Sequence, residues 1–78
     1  MKMANVTFSV ALDAVKRGDK IQRAGWNGKD LWVKCQRPDE FSKMTLPYLY
    51  IEYPEGAKCP WLASQTDIMS DDWTIHPA

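Results

Sequence analysis

The first clear pattern along the chain is helical. Phe8, Ala11, Leu12 and Val15 recur at i, i+3, i+4 and i+7, one apolar stripe that predicts a helix packed on a sheet through its Phe8, Leu12 and Val15 side. Thr7 or Asn5 is placed to cap its start. Lys16 and Arg17 fall in the last turn, where the helix dipole favours cations, and Gly18 sits where a left-handed residue ends a helix. Residues 1–6 are expected as a loose leader or a short edge strand. The period then changes to two. Lys20 to Arg23 and Leu31 to Gln36 read as strands around Asn27-Gly28, a dipeptide suited to a tight hairpin turn because both central residues of a type I′ turn need positive φ. Leu31, Val33 and Cys35 would face one way, and Trp32, Lys34 and Gln36 the other. A plain two-residue hairpin pairs Trp26 with Lys29 and so places Ile21 on the Trp32/Lys34 face. Either that face is also partly buried, or a bulge at Gly25 returns Ile21 to the core; the bulge is the expected solution.

Arg37 to Thr45 is a polar connection containing Pro38, with one helical turn expected around Asp39 to Lys43. Pro47 opens a strand from Tyr48 to Tyr53, rich in strand formers. Pro54-Glu55-Gly56 is a turn, and Ala57 to Trp61 a short strand broken by Pro60. Ser64-Gln65-Thr66-Asp67 matches a capping box that opens a second helix. That helix is short, because Asp71 and Asp72 fall near its C-terminal end, where the dipole disfavours anions. Trp73-Thr74-Ile75 is the last strand. The fold class is α+β: an N-terminal helix packed on an antiparallel β-sheet, with a short second helix near the C-terminus, in a single domain over residues 1–78.

Composition adds limits. A chain of 78 residues has room for one core and buries only about 60–65% of its unfolded surface. Four Trp, three Tyr and two Phe offset part of that deficit, and self-association into a homo-oligomer is expected to supply more. Ten basic and ten acidic residues cancel, with neither sign in a block, so a phosphate-tracking role on DNA or RNA is not expected. No apolar run approaches the ~18 residues of a membrane span, and the N-terminal stretch lacks a signal-peptide core. Cys35 and Cys59 form no CxxC pair and read as free thiols of a reducing cytoplasm.

The catalytic inventory is thin. His76, the single histidine, lies where a structured pocket is seldom built. Cys35 and Cys59 lack a histidine within an obvious motif and default to small buried hydrophobes. Asp67, Asp71 and Asp72 could hold a divalent cation, since Asp67 and Asp71 share a helix face, but capping by Asp67 and solvation of Asp71 and Asp72 is the simpler reading. No Gly-rich phosphate loop or zinc spacing occurs. No enzyme activity and no cofactor are expected. The tryptophans remain, and for any one of them the core is the default place. Trp26 is the exception: it adjoins the Asn27-Gly28 turn between Arg23 and Lys29. An aromatic plane, turn amides and two cations suit a nucleotide-like anion, and stacking of a base is worth about 1–3 kcal/mol.

Three blocks in this order carry a resemblance. They are the helix followed by Gly-Asp-Lys-x-x-Arg-Ala-Gly-Trp-Asn-Gly-Lys, the strand Leu46-Pro47-Tyr48-Leu49-Tyr50-Ile51, and Pro60-Trp61-Leu62-Ala63-Ser64-Gln65-Thr66-Asp67-Ile68-Met69-Ser70-Asp71-Asp72-Trp73. Together, from Phe8 to Ile75, the chain resembles the Thoeris anti-defense 2 family of small phage and prophage proteins. The resemblance implies a sponge in the host bacterial cytoplasm. Such a protein binds a cyclic ADP-ribose signal made by TIR-domain enzymes, in some members also cyclic dinucleotides, and holds it intact so that the Thoeris effector stays silent. It implies a homotetramer, a dimer of dimers, with ligand sites between protomers. Carried over by motif position, Trp26 would stack on the base, and Asn27 and Lys29 would meet polar or phosphate groups. Ser64, Gln65, Thr66 and Asp67 would contribute hydrogen bonds to ribose or base, while Trp61 and Trp73 belong to the core or the subunit interface. The chain departs from the pattern at Asp30, a carboxylate beside the supposed phosphate position, and in the short connection between the Cys35 and Tyr48 strands. Two other classes stay in view: a phosphodiesterase of the same signal, and a phage module that contacts a protein partner.

Overall fold

The structure, a computed structural model, describes residues 3–26 and 30–78; the expected Asn27-Gly28 turn and Lys29 lie outside them. The elements run β1 (Met3–Val6), α1 (Phe8–Lys16), β2 (Lys20–Arg23), β3 (Trp32–Gln36), β4 (Tyr48–Glu52), β5 (Lys58–Pro60), α2 (Gln65–Met69) and β6 (Trp73–His76). The strands make one antiparallel sheet in the order β1-β6-β2-β3-β4-β5. The fold is α+β, as the alternation of periods predicts.

Helix α1 begins where Thr7 Oγ1 accepts the Val10 N–H at 3.3 Å. It ends at Gly18, whose φ of 108° is a left-handed value glycine adopts without a Cβ clash. Asn5 does not cap. It takes a φ of 56° inside β1, where the register against β6 shifts between Met3 and Val6, and asparagine is among the few residues that tolerate that conformation. The buried side of α1 is Ala11, Ala14 and Val15, with Phe8 and Leu12 only half-buried at its rim. The stripe is therefore turned from the expected Phe8/Leu12/Val15 centre, because two alanines let the helix axis come close to the sheet while the larger side chains flank it.

Below the helix lie Ile21, Val33, Trp73 and Ile75, all buried. Ile21 pairs with Val33 across β2 and β3, so it does reach the core. Gly25 is not a strand bulge: β2 stops at Arg23, Ala24 and Gly25 lie in a turn, and the Trp26 N–H donates to the Arg23 carbonyl at 3.2 Å. Strand β6, expected merely as the last strand, sits inside the sheet between β1 and β2.

Two other expectations change. The segment around Asp39 to Lys43 is one β-turn, not a helical turn. Ser42 N–H donates to the Asp39 carbonyl at 3.1 Å while Asp39 Oδ1 accepts from the Phe41 N–H at 2.9 Å, so the side chain satisfies an amide locally and helix growth gains nothing. Pro60 does not break its strand either. It closes β5 at the free edge of the sheet, opposite Tyr50, where a missing N–H costs no ladder bond.

The opposite face of the sheet is half-buried and polar. Lys20 Nζ lies 4.2 Å from the Trp32 ring centroid, Trp32 meets His76 edge-on at 4.6 Å, and Glu52 pairs with Lys34 at 2.5 Å and Lys58 at 3.2 Å. These side chains cover one another rather than another layer, and exposed pairs of this kind add little stability.

Truncating the centre of the core should be far more damaging than truncating its margin. Ile21→Ala is expected to lower stability by about 3 kcal/mol, or about 12–24 °C in melting temperature for a chain of this size. Ile68→Ala, at a site 44% exposed, should change it by about 0.5 kcal/mol or less. Thermal denaturation followed by far-UV circular dichroism checks both.

Candidate functional site

Pairing of β2 with β6 sets Arg23 opposite Trp73 and so brings the Arg23–Trp26 turn beside Asp72 and the start of α2. Arg23 Nε donates to Asp72 Oδ1 at 2.9 Å, and Nη1 to Asp67 Oδ1 at 3.0 Å. The other oxygen of Asp72 accepts the Gly25 N–H at 3.0 Å, and its backbone carbonyl accepts the Ala24 N–H at 2.9 Å. The other oxygen of Asp67 accepts the Ser64 N–H at 3.0 Å, while Ser64 Oγ accepts the Asp67 N–H at 3.1 Å. This is the capping box read from the sequence. Trp73 Nε1 completes the set by donating to the Asp67 carbonyl at 2.9 Å.

The electrostatics follow from that geometry. The Arg23 guanidinium beside Asp72, opposed by burial and reinforced by Gly25, holds the Asp72 carboxyl below its ordinary value. Burial pushes Asp67 up, but hydrogen bonds from Ser64 and Arg23 outweigh it, and its pKa is also lowered. Arg23 is raised, chiefly by its bond to Asp72. Two carboxylates thus surround one guanidinium whose side chain is only 17% exposed.

Over this network stands an aromatic nest. Trp73 is fully buried. Trp26 packs edge-on to Trp73 at 5.3 Å and to Trp61 at 6.3 Å, and Phe8 closes on Trp73 at 5.3 Å. The assignment of Trp73 to the core holds, and Trp61 packs half-buried at its margin. Trp26 departs from the expected display beside a turn: part of its ring is embedded in the nest and only the remainder faces out. Arg23 departs further, since its Nε and Nη1, donors expected for an anion, reach Asp72 and Asp67 instead.

Of the seven residues the sequence picks out, Trp26 and the Ser64–Asp67 turn come together around this network, whereas Asn27 and Lys29 lie outside the described residues. Ser64 and Asp67 are occupied with each other and with Arg23. Gln65 and Thr66 are exposed on the first turn of α2 and, with Met69 and Ser70, line a shallow open hollow. Both carboxylate oxygens of Asp67 already accept hydrogen bonds, and among the described residues no group of three His, Cys, Asp or Glu side chains could hold a metal ion. Cys59, expected buried, is exposed, with its Sγ 3.9 Å from the Tyr53 hydroxyl; Cys35 is half-buried. His76 is not at a loose end but in β6, opposite Lys20 and against Trp32. No helix among the described residues is long and apolar enough to cross a membrane. The residue that sequence reasoning missed is Asp72. Expected as a solvated residue near a helix end, it pairs instead with Arg23, 49 positions earlier, and with the Gly25 N–H.

Acid should release this network. Asp67 and Asp72 are depressed in the folded chain, so their stabilisation is fully present above the ordinary Asp value and is lost as pH falls through the lower folded values. Urea denaturation between about pH 2 and 6 should show this loss in the native chain, and Arg23→Met should flatten it.

The Thoeris anti-defense 2-like domain matches residues 6–76. The chain is also 26% identical, over 83 aligned positions, to the protein called Thoeris anti-defense 2 from Bacillus phage SP01, an alignment covering 90% of this chain and 93% of the relative. The matched span takes in α1, the Arg23–Trp26 turn, α2 and β6, every element that builds the site. The chain belongs to the Thoeris anti-defense 2-like family.

Proposed function

We propose that this protein serves a phage against Thoeris defence by taking up a cyclic nucleotide signal and holding it unchanged. The ligand class is a TIR-derived cyclic ADP-ribose isomer, and cyclic dinucleotides share the same chemistry of bases and phosphates. The observation that carries the reading is the convergence of Trp26 with the first turn of α2 on one fixed network, inside the family's matched span. The outward part of the Trp26 ring supplies a stacking surface for a base. The exposed Gln65 and Thr66 offer hydrogen bonds to ribose or base, and Asn27 and Lys29 are assigned the polar and phosphate contacts.

A sponge has to enclose its ligand, and small-molecule sites bury most of the ligand surface. The hollow at α2 is shallow and open on the described surface. Leu62 (91% exposed), just before α2, and Met69 (77% exposed), at its end, are apolar surface that gains by being covered. A second protomer supplies the missing wall in this reading, and the family's tetrameric arrangement is the assembly assigned. Sequestration needs no general base or nucleophile; Ser64, Asp67 and Asp72 are committed to holding structure.

Isothermal titration of the purified protein with TIR-generated cyclic ADP-ribose isomers and a cyclic-dinucleotide panel tests the proposal. Binding of at least one, with the ligand recovered intact after heat denaturation, is the expected result. Trp26→Ala should weaken that binding by roughly 5- to 150-fold, the stacking energy of one base, while far-UV circular dichroism still reports a folded chain. Absence of binding across the panel sinks the sponge. Release of a linear product with divalent metal would replace it by a phosphodiesterase.

A further inference from the structure

Arg23 stands three positions before Trp26, and the obvious use of a cation there is to meet a phosphate. The geometry gives it another. Nε and Nη1 donate to two carboxylates at 2.9 and 3.0 Å, its side chain is 17% exposed, and two acidic groups around one guanidinium leave the cluster with an excess of negative charge that repels a further anion. The partners belong to different parts of the chain, 44 and 49 positions away. Through Asp67, Arg23 grips the first turn of α2. Through Asp72, whose second oxygen holds the Gly25 N–H, it grips the backbone just before Trp26.

We propose that Arg23 is a positioning residue that locks the Gly25–Trp26 backbone to the first turn of α2, so that both halves of the binding site keep one spacing. This rests on the reading that Trp26 and α2 share a ligand. Two features give the lock its chemical requirements. Nε and Nη1 are separate donors in one rigid plane, which a lysine nitrogen cannot reproduce. A Cβ on Gly25 would stand 3.0 Å from Asp72 Oδ2, the oxygen that accepts the glycine's own N–H. A side chain at Gly25 would therefore push Asp72 Oδ2 away by a few tenths of an ångström and disturb the bond that oxygen makes to the Gly25 N–H.

The test uses Arg23→Lys, which keeps the charge, and Gly25→Ala, which keeps every charged group. Three readouts are taken: far-UV circular dichroism, near-UV circular dichroism of the ligand-free protein, and titration with a TIR-generated cyclic ADP-ribose isomer. The near-UV signal reports Trp26 because its ring lies 5.3 Å from that of Trp73. Both variants are expected to stay folded, to lose the same part of the near-UV signal that Trp26→Phe removes, and to bind about tenfold or more weakly, since small misplacements of a site carry losses of that order. An unchanged near-UV signal in both variants overturns the proposal. So does weaker binding of Arg23→Lys with an unchanged signal, because that outcome makes Arg23 a ligand contact. Should Arg23→Lys not fold, Gly25→Ala decides by the same criteria. If the native protein binds no isomer, the sponge reading fails while the near-UV comparison still decides the positioning role.

Discussion

Trp73 has to meet two demands at once, and the structure is arranged around both. Its ring is fully buried, the largest side chain in the core, where Phe8, Trp26 and Trp61 pack around it. Its indole N–H cannot be left there without an acceptor, since an unsatisfied buried donor costs about 1–3 kcal/mol. The acceptor is the Asp67 carbonyl, which requires α2 to lie directly over the strand. The residue before Trp73 then faces the end of β2, where Arg23 binds both Asp72 and Asp67. One buried indole thus fixes the helix, the ion-pair network and the turn that carries Trp26.

The constraint also bears on how a chain whose two cysteines are free holds these segments together. The polar network is satisfied throughout: among the described residues no buried side-chain nitrogen or oxygen lacks a partner. A half-satisfied network would be worse than an apolar patch of the same shape. Here each carboxylate oxygen of Asp67 and Asp72 accepts a hydrogen bond, so the network orders its three segments rather than loosening them.

Much of the fold is legible in the chain because the signals are local. The α1 stripe, Gly18 at its end, the Ser64–Asp67 box and the strand at Tyr48 each depend on neighbours a few positions apart. What escapes are features set by distant partners. The buried centre of α1 lies at Ala11 and Ala14, against the sheet, and β6 enters the sheet by pairing with β1 and β2, both near the start of the chain. The same division runs through the site. Ser64 and Asp67 were visible as a cap, but the choice of Arg23 by Asp72 spans 49 positions and leaves no periodic trace. Asp39 shows the opposite error: a pattern compatible with a helical turn lost to a side chain that bonds its own backbone.

That unseen pairing changes how a nucleotide would have to be held. A site built on a free Arg23 would draw the ligand by charge and weaken steeply with salt. With Arg23 enclosed by two carboxylates, attraction at long range falls to other cations, and the proposed grip comes from stacking on Trp26, from hydrogen bonds of the α2 turn, and from exclusion of water by a covering protomer. Those terms act only at contact and depend on the spacing of the parts. In the proposed reading, holding a small signal without altering it asks for that kind of rigidity, which the pairing of Arg23 with Asp67 and Asp72 would supply.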